Sequence, residues 1–172
     1  LVVFLFCVYV IIEIMKKFNL KYGFTLIELL VVVAIIAVLS AVVLAFLGGA
    51  KDKGGDAAVK ANLDTIRGVS ELFASDNNNS FLISGADVAG ICPSYSPSGT
   101  NMLSKNQTIA DAIKEATKQG SKVNYCFNSK NTWAVAVGLK TNANTSWCVD
   151  SGGKSKQVNS VPSSAIVGGA CN

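Results

Sequence analysis

The chain has 172 residues, half of them hydrophobic, with 15 Lys and Arg against 11 Asp and Glu and no histidine at all. That length accommodates one modest domain beside a membrane segment. The lack of histidine excludes Ser-His-Asp and Cys-His catalysis, and a formal charge of +4 without a clustered basic face leaves nucleic acid unindicated as a partner.

Residues 1–14, LVVFLFCVYVIIEI, place twelve apolar residues before Glu13. They are too few for an ordinary membrane span, and no small-residue cleavage site follows them as it would after an export signal. The expected start is therefore Met15, with residues 1–14 an over-extended reading and residues 15–23 a short basic leader carrying Lys16, Lys17 and Lys21.

From Phe24 to Leu47 only Thr25, Glu28 and Ser40 are polar. As a helix these residues would reach roughly 36 Å at about 1.5 Å per residue, against a hydrocarbon core of about 30 Å. Glu28 is the one ionisable group within the run. A carboxylate in that position costs roughly 2.5–3.5 kcal/mol on insertion scales, which makes it a candidate functional residue.

The sequence Gly23-Phe24-Thr25-Leu26-Ile27-Glu28, preceded by lysines and followed by an unbroken apolar run, resembles the class III signal of type IV pilins and pseudopilins. The match is specific over Lys21–Leu47 and a matter of layout beyond it. The resemblance implies cleavage after Gly23 by a prepilin peptidase, methylation of the new amino terminus on Phe24, and a role for Glu28 in docking subunits into a filament. It also implies an inner-membrane assembly platform as a partner. Cleavage would leave an ammonium on Phe24 four residues before Glu28, on the same helix face. A staggered neighbour could present its own Phe24 ammonium to Glu28, removing the cost of two lone charges in an apolar setting. The carboxylate is thus expected to disfavour the lone subunit in lipid and favour the packed one.

Gly48, Gly49, Gly54 and Gly55 come next around Lys51-Asp52-Lys53. Each interior glycine weakens a helix by about 1 kcal/mol relative to alanine, so a soft joint is expected here. Many family members carry a proline early in the mature helix, and this chain has none there. Any local melting would have to use the glycines. Helical periodicity resumes at Asp56, where Val59, Leu63, Ile66, Ser70 and Phe73 share a face. Asp56 with Lys60, and Arg67 with Glu71, read as i, i+4 pairs on exposed flanks. The soluble half of the helix is placed at residues 48–76, closed by Asn77-Asn78-Asn79-Ser80.

Residues 77–172 form the expected outer domain. The stretch 81–105, with Gly85, Gly90, Pro93, Pro97 and Gly99, reads as an irregular connector. Thr108–Asp111 starts a second helix with Ile109, Ala112, Ile113 and Ala116 as its apolar face and Gly120 as its stop. Runs at Val123–Asn128, Thr132–Leu139 and Ser146–Asp150 read as antiparallel strands, with a fourth around Lys156–Val161 after the Gly152-Gly153 turn. In the second run Trp133, Val135, Val137 and Leu139 alternate with Ala134, Ala136 and Gly138. The small-residue face is expected to lie under the helix. Trp133 and Trp147 read as sheet-core residues. The fold class is α+β and type IV pilin-like: a long amino-terminal helix, membrane-spanning in its first half, packed on a small antiparallel sheet.

Lysines before the span favour a cytoplasmic amino terminus and an external carboxyl-terminal domain. Apart from Cys7 in the upstream stretch, the cysteines are Cys92, Cys126, Cys148 and Cys171. An even set of this kind suits disulfides in an oxidising compartment. Their spacing matches no zinc pattern. Three connectivities are possible. Predicted strand placement argues against Cys126–Cys148, and Cys92–Cys126 with Cys148–Cys171 is preferred among the rest.

No phosphate-binding loop, dinucleotide fingerprint or HExxH occurs, so neither enzymatic activity nor a cofactor or metal is expected. The loop after Asp150 lacks EF-hand spacing and reads as a plain turn. Three Asn-X-Ser/Thr triplets, at Asn78, Asn106 and Asn144, read as solvated loops rather than glycan acceptors. The expected function is a structural subunit of a type IV pilus, embedded in lipid before assembly and self-associating into an extracellular filament. A pseudopilin of a type II secretion-like system is the alternative within the family. An ordinary secreted or anchored soluble domain, cleaved near Gly48-Gly49-Ala50, is the alternative outside it.

Overall fold

The computed structural model describes Tyr9 and residues 25–172. The chain divides into two units, residues 1–48 and 49–172, and α1 (Leu26–Asp76, 51 residues) contributes to both. The Met15 start, the basic leader and the Gly23–Phe24 bond lie outside the described residues.

In residues 26–48, α1 is apolar nearly throughout and holds an 18-residue window of mean hydropathy 3.3, long and apolar enough to cross a membrane. Its large side chains are exposed, among them Leu26, Ile27, Val38, Leu39 and Phe46.

Residues 49–172 form an α+β unit. Helical structure continues through Gly49, Gly54 and Gly55. A Cβ at Gly54 would meet nothing within 4 Å, whereas one at Gly55 would lie 2.8 Å from the Gln119 carbonyl oxygen. Gly55 thus permits close approach to a neighbouring helix end, and Gly54 has no such reason for being glycine. The helix stops after Asp76, where Asn78 and Asn79 both take φ of 56°, the left-handed region that asparagine tolerates.

After α1 come β1 (Val88–Gly90), α2 (Met102–Lys105), α3 (Gln107–Gln119), β2 (Asn124–Asn128), β3 (Trp133–Gly138), β4 (Ser146–Asp150), β5 (Ser155–Val158), α4 (Pro162–Ala165), β6 (Ile166–Val167) and β7 (Ala170–Cys171). The first five strands form one antiparallel sheet in the order β1-β2-β3-β4-β5. Strands β6 and β7 form a separate hairpin. Elements α3 and β2 to β5 fall where the sequence predicts them, while β1, α2, α4, β6 and β7 are additional. The connector is partly ordered: β1 pairs with β2, Leu82 bridges to Asn101, and Asn101 caps α2 by accepting from Ser104 N at 3.0 Å. Helix α3 begins one residue before the expected start, because Asn106 Oδ1 accepts from Ile109 N at 3.1 Å. That use of Asn106 gives one of the three glycosylation-like triplets a structural role.

The core lies between the sheet and the two long helices. Val59, Leu63, Ile66 and Phe73 of α1 join Ile109, Ile113 and Ala116 of α3 against Trp133, Val135, Val137, Leu139 and Val149. All five positions of the α1 stripe, Ser70 included, are buried. Ser70 satisfies its hydroxyl by donating to the Arg67 carbonyl at 2.8 Å.

The sheet face under the helices is the reverse of the expected one. Bulky Trp133, Val135, Val137 and Leu139 fill the space beneath α1 and α3. The small face, Ala134 and Ala136, packs instead with Ala165, Ile166, Cys148 and Cys171. The physical reason is distance: helices stand off a sheet and need large side chains to fill the gap, whereas a short carboxyl-terminal segment approaches closely. A Cβ on Gly138 would meet the Ser121 side chain at its hydroxyl oxygen, and would touch Pro162 Cγ at an ordinary 3.7 Å.

Candidate assembly segment and the clasps of the outer unit

The described part of the amino-terminal site is built on one capping motif. Thr25 immediately precedes α1 and Glu28 lies in its first turn. Glu28 Oε2 accepts from Thr25 N at 2.9 Å and from Thr25 Oγ1 at 2.7 Å, while Glu28 N lies 3.4 Å from Thr25 Oγ1. This is a capping box, in which a threonine and the glutamate three residues on satisfy each other's backbone ends. Its signal, Thr-X-X-Glu before an apolar run, is present in the sequence. Among the described residues Glu28 Oε2 thus has two donors, both from Thr25. A hydrogen bond to a charged group contributes about 1.5–3 kcal/mol, so Thr25 offsets part of the insertion cost. Oε1 takes no donor among the described residues. Gly23 and Phe24, the expected processing pair, lie outside them.

In residues 49–172 the four cysteines form two bonds. Cys92 joins Cys126 at 2.07 Å and Cys148 joins Cys171 at 1.99 Å. Cys126 on β2 and Cys148 on β4 have β3 between them. The first bond ties the segment after β1 to the sheet, and the second ties the terminal hairpin to its small-residue face.

Two buried aspartates reinforce these attachments. Asp56 is only 8% exposed. Its Oδ1 accepts from Lys140 N at 2.6 Å, and its Oδ2 from Thr141 N at 3.4 Å and from the Thr141 hydroxyl. Asp56 therefore fastens α1 to the β3–β4 turn rather than pairing with Lys60 on an exposed flank. Lys60 instead places its ammonium 4.6 Å from the centre of the Trp147 ring, a cation–π contact. The charge pairs among the described residues are Lys118–Glu115 and Lys140–Asp52, so Arg67–Glu71 does not form either.

Asp150, at 2% exposure, accepts from Lys154 N at 2.9 Å and from Cys171 N at 2.8 Å. Lys154 Nζ in turn donates to the Cys171 carbonyl at 2.7 Å. Both carboxylate oxygens are engaged by backbone amides, and Asp150 works as the clasp of the terminal hairpin. No group of three or more His, Cys, Asp or Glu among the described residues is placed to hold a metal ion. Trp133 is fully buried and meets Phe81 edge to face, with ring centres 6.4 Å apart. Trp147 is half-buried at the margin of the same core.

Comparison with known proteins bears on the amino-terminal segment. Residues 19–44 match the family described as "Prokaryotic N-terminal methylation motif". Over 57 residues the chain is 46% identical to the "Type IV wide pilus major component PilA4" of Thermus thermophilus, a stretch that is 33% of this chain and 44% of that protein. The chain thus spans less than half the length of the relative it matches. No solved structure matches it significantly.

Proposed function

We propose, from the premise that this chain belongs to the type IV pilin and pseudopilin family, that it is the structural subunit of a type IV pilus. The observation that carries the reading is Glu28: the single acid in residues 26–48, the apolar part of α1, capped on one oxygen by Thr25. In this reading a prepilin peptidase cuts after Gly23 and the new Phe24 amine is methylated. The subunit waits in the inner membrane with its amino terminus cytoplasmic and residues 49–172 outside. An assembly platform then adds it to a filament through the apolar half of α1.

The chemistry of the step follows from the cap. Thr25 offers Glu28 neutral dipoles, which leave the net charge in place. An ammonium from Phe24 of a packed neighbour would cancel it, and opposite charges attract most strongly where the dielectric constant is low. Assembly on this account exchanges a partly satisfied carboxylate for a neutralised one.

Two features support this reading over an ordinary exported domain. Helical structure runs through Gly48, Gly49 and Ala50, where a signal peptidase would need an accessible backbone, and the relative named above is a pilus major component. Mass analysis of the mature amino terminus tests the reading. N-methylated Phe24 is the expected result, and Lys51 would refute it. Isolated filaments with this chain as their main component would favour a pilin over a pseudopilin.

A further inference from the structure

We propose, on the reading of the apolar half of α1 as a membrane span, that the end of residues 49–172 where the chain enters is a docking surface for anionic phospholipid headgroups. Lys51 follows Leu47, the last residue of the apolar run, by four positions of continuous helix. That is a rise of about 6 Å, the depth of the polar layer on each side of a hydrocarbon core. Lys51 and Lys53 are both exposed.

Two turns of the outer unit converge on residues 52–56. Lys140 Nζ lies 3.3 Å from Asp52 Oδ1, and the Lys140 amide donates to Asp56 Oδ1 at 2.6 Å. A Cβ on Gly55 would lie 2.8 Å from the Gln119 carbonyl oxygen, so the end of α3 is beside it. The turn from α3 into β2 is fixed at the same place, since Ser121 N donates to the Gly138 carbonyl at 2.9 Å. The next residue, Lys122, takes φ of 67°, a left-handed conformation that glycine or asparagine adopts at less cost. A lysine there holds an exposed ammonium on the turn in spite of that cost.

Charge is one-sided at this end. Residues 49–56, 119–123 and 139–145 carry Lys51, Lys53, Lys122 and Lys140 against Asp52 and Asp56. Asp56 is buried and committed to the β3–β4 turn, and Asp52 is paired with Lys140. Lys51, Lys53 and Lys122 have no salt-bridge partner among the described residues. The far end of α1 has the other sign, with Glu71 and Asp76 exposed and no basic residue in the last turn. Each ammonium offers three donors and no acceptor, which suits phosphate oxygens. A lysine beside an anionic bilayer gains from the surface potential, whereas one beside a zwitterionic bilayer does not. The four cations stand on three separate segments, so they sense the charge of the surface rather than the shape of one headgroup.

The test places the full chain singly in nanodiscs of phosphatidylcholine, with or without phosphatidylglycerol, and reads amide hydrogen exchange by mass spectrometry. Exchange in residues 119–123 and 139–145 should slow by about fivefold when phosphatidylglycerol is present. High salt should abolish the difference. Lys51→Gln, Lys53→Gln and Lys122→Gln combined should abolish it too, with thermal unfolding unchanged. Lys130→Gln, on the β2–β3 turn at the opposite end of the sheet, should leave it intact. Equal exchange in the two lipids, protection that survives the triple variant, or the same protection from dissolved glycerol phosphate would overturn the docking surface. A chain that does not enter the discs would instead overturn the span on which it rests.

Discussion

Replacing Asp56 by alanine should destabilise residues 49–172 by about 1.5–3 kcal/mol. The carboxylate is 8% exposed and receives three donors from the β3–β4 turn, of which the Lys140 amide at 2.6 Å and the Thr141 hydroxyl are the close ones. The Thr141 amide at 3.4 Å is a weak contact by its length. Two bonds to a charged acceptor would be worth about 3–6 kcal/mol at the usual 1.5–3 kcal/mol each. Lys140 and Thr141 are themselves exposed, so water can reach the stranded donors and return about half of that. Asp56→Asn keeps one acceptor and should cost about 1 kcal/mol. The control is Asp52→Ala, which removes only the half-exposed pair with Lys140 and should cost under about 0.5 kcal/mol. Thermal unfolding of the full chain in micelles, followed by near-ultraviolet circular dichroism, reads the difference as a fall in Tm of about 6–15 °C for Asp56→Ala. Equal Tm values for Asp56→Ala and Asp52→Ala would refute the idea that this aspartate fastens helix to sheet.

Gly54→Ala should stabilise the protein by up to about 1 kcal/mol, because nothing lies near its Cβ and alanine is the better helix former. Gly55→Ala should destabilise it through contact with the Gln119 carbonyl, and the same unfolding assay separates the two signs. Removing either disulfide as a cysteine-to-serine pair should cost about 3–4 kcal/mol, from loops of 34 and 23 residues' separation on the chain-entropy relation. Denaturant midpoints should therefore fall by similar amounts for both. Glu28→Gln should still insert and be cleaved yet enter filaments poorly, so a wild-type filament yield would contradict the charge-neutralisation account. A bulky residue at Gly23 should leave unprocessed precursor in the membrane, detected by its mass.

The legible parts of this protein were those governed by short-range chemistry. The α1 stripe Val59, Leu63, Ile66, Ser70 and Phe73 was readable because helical periodicity writes burial directly into spacing. Strands β2 to β5 were readable because β-rich runs alternate with turn residues. The hairpin at Ile166–Cys171 had an equally clear signal. Gly168 and Gly169 take φ of 58° and 80°, the turn that a Gly-Gly pair favours between two short strands, but two-residue strands are too brief to carry periodicity. The Thr25–Glu28 capping box was likewise present as a local pattern.

Other features depended on what the chain brings together over distance. Asp56 looked like half of an exposed helix pair because its partners are 84 and 85 residues away. The sheet face under the helices could not be read from alternation, since both faces of β3 are apolar and fully buried. The decision there belonged to packing: a helix standing off a sheet leaves room for Trp133, and a hairpin pressed close to it leaves room only for alanine. Local pattern is enough to specify an apolar helical run with one acid ahead of an α+β unit with an even set of cysteines. Which face meets which element emerges on folding, because complementarity between surfaces far apart in the chain has no local signature.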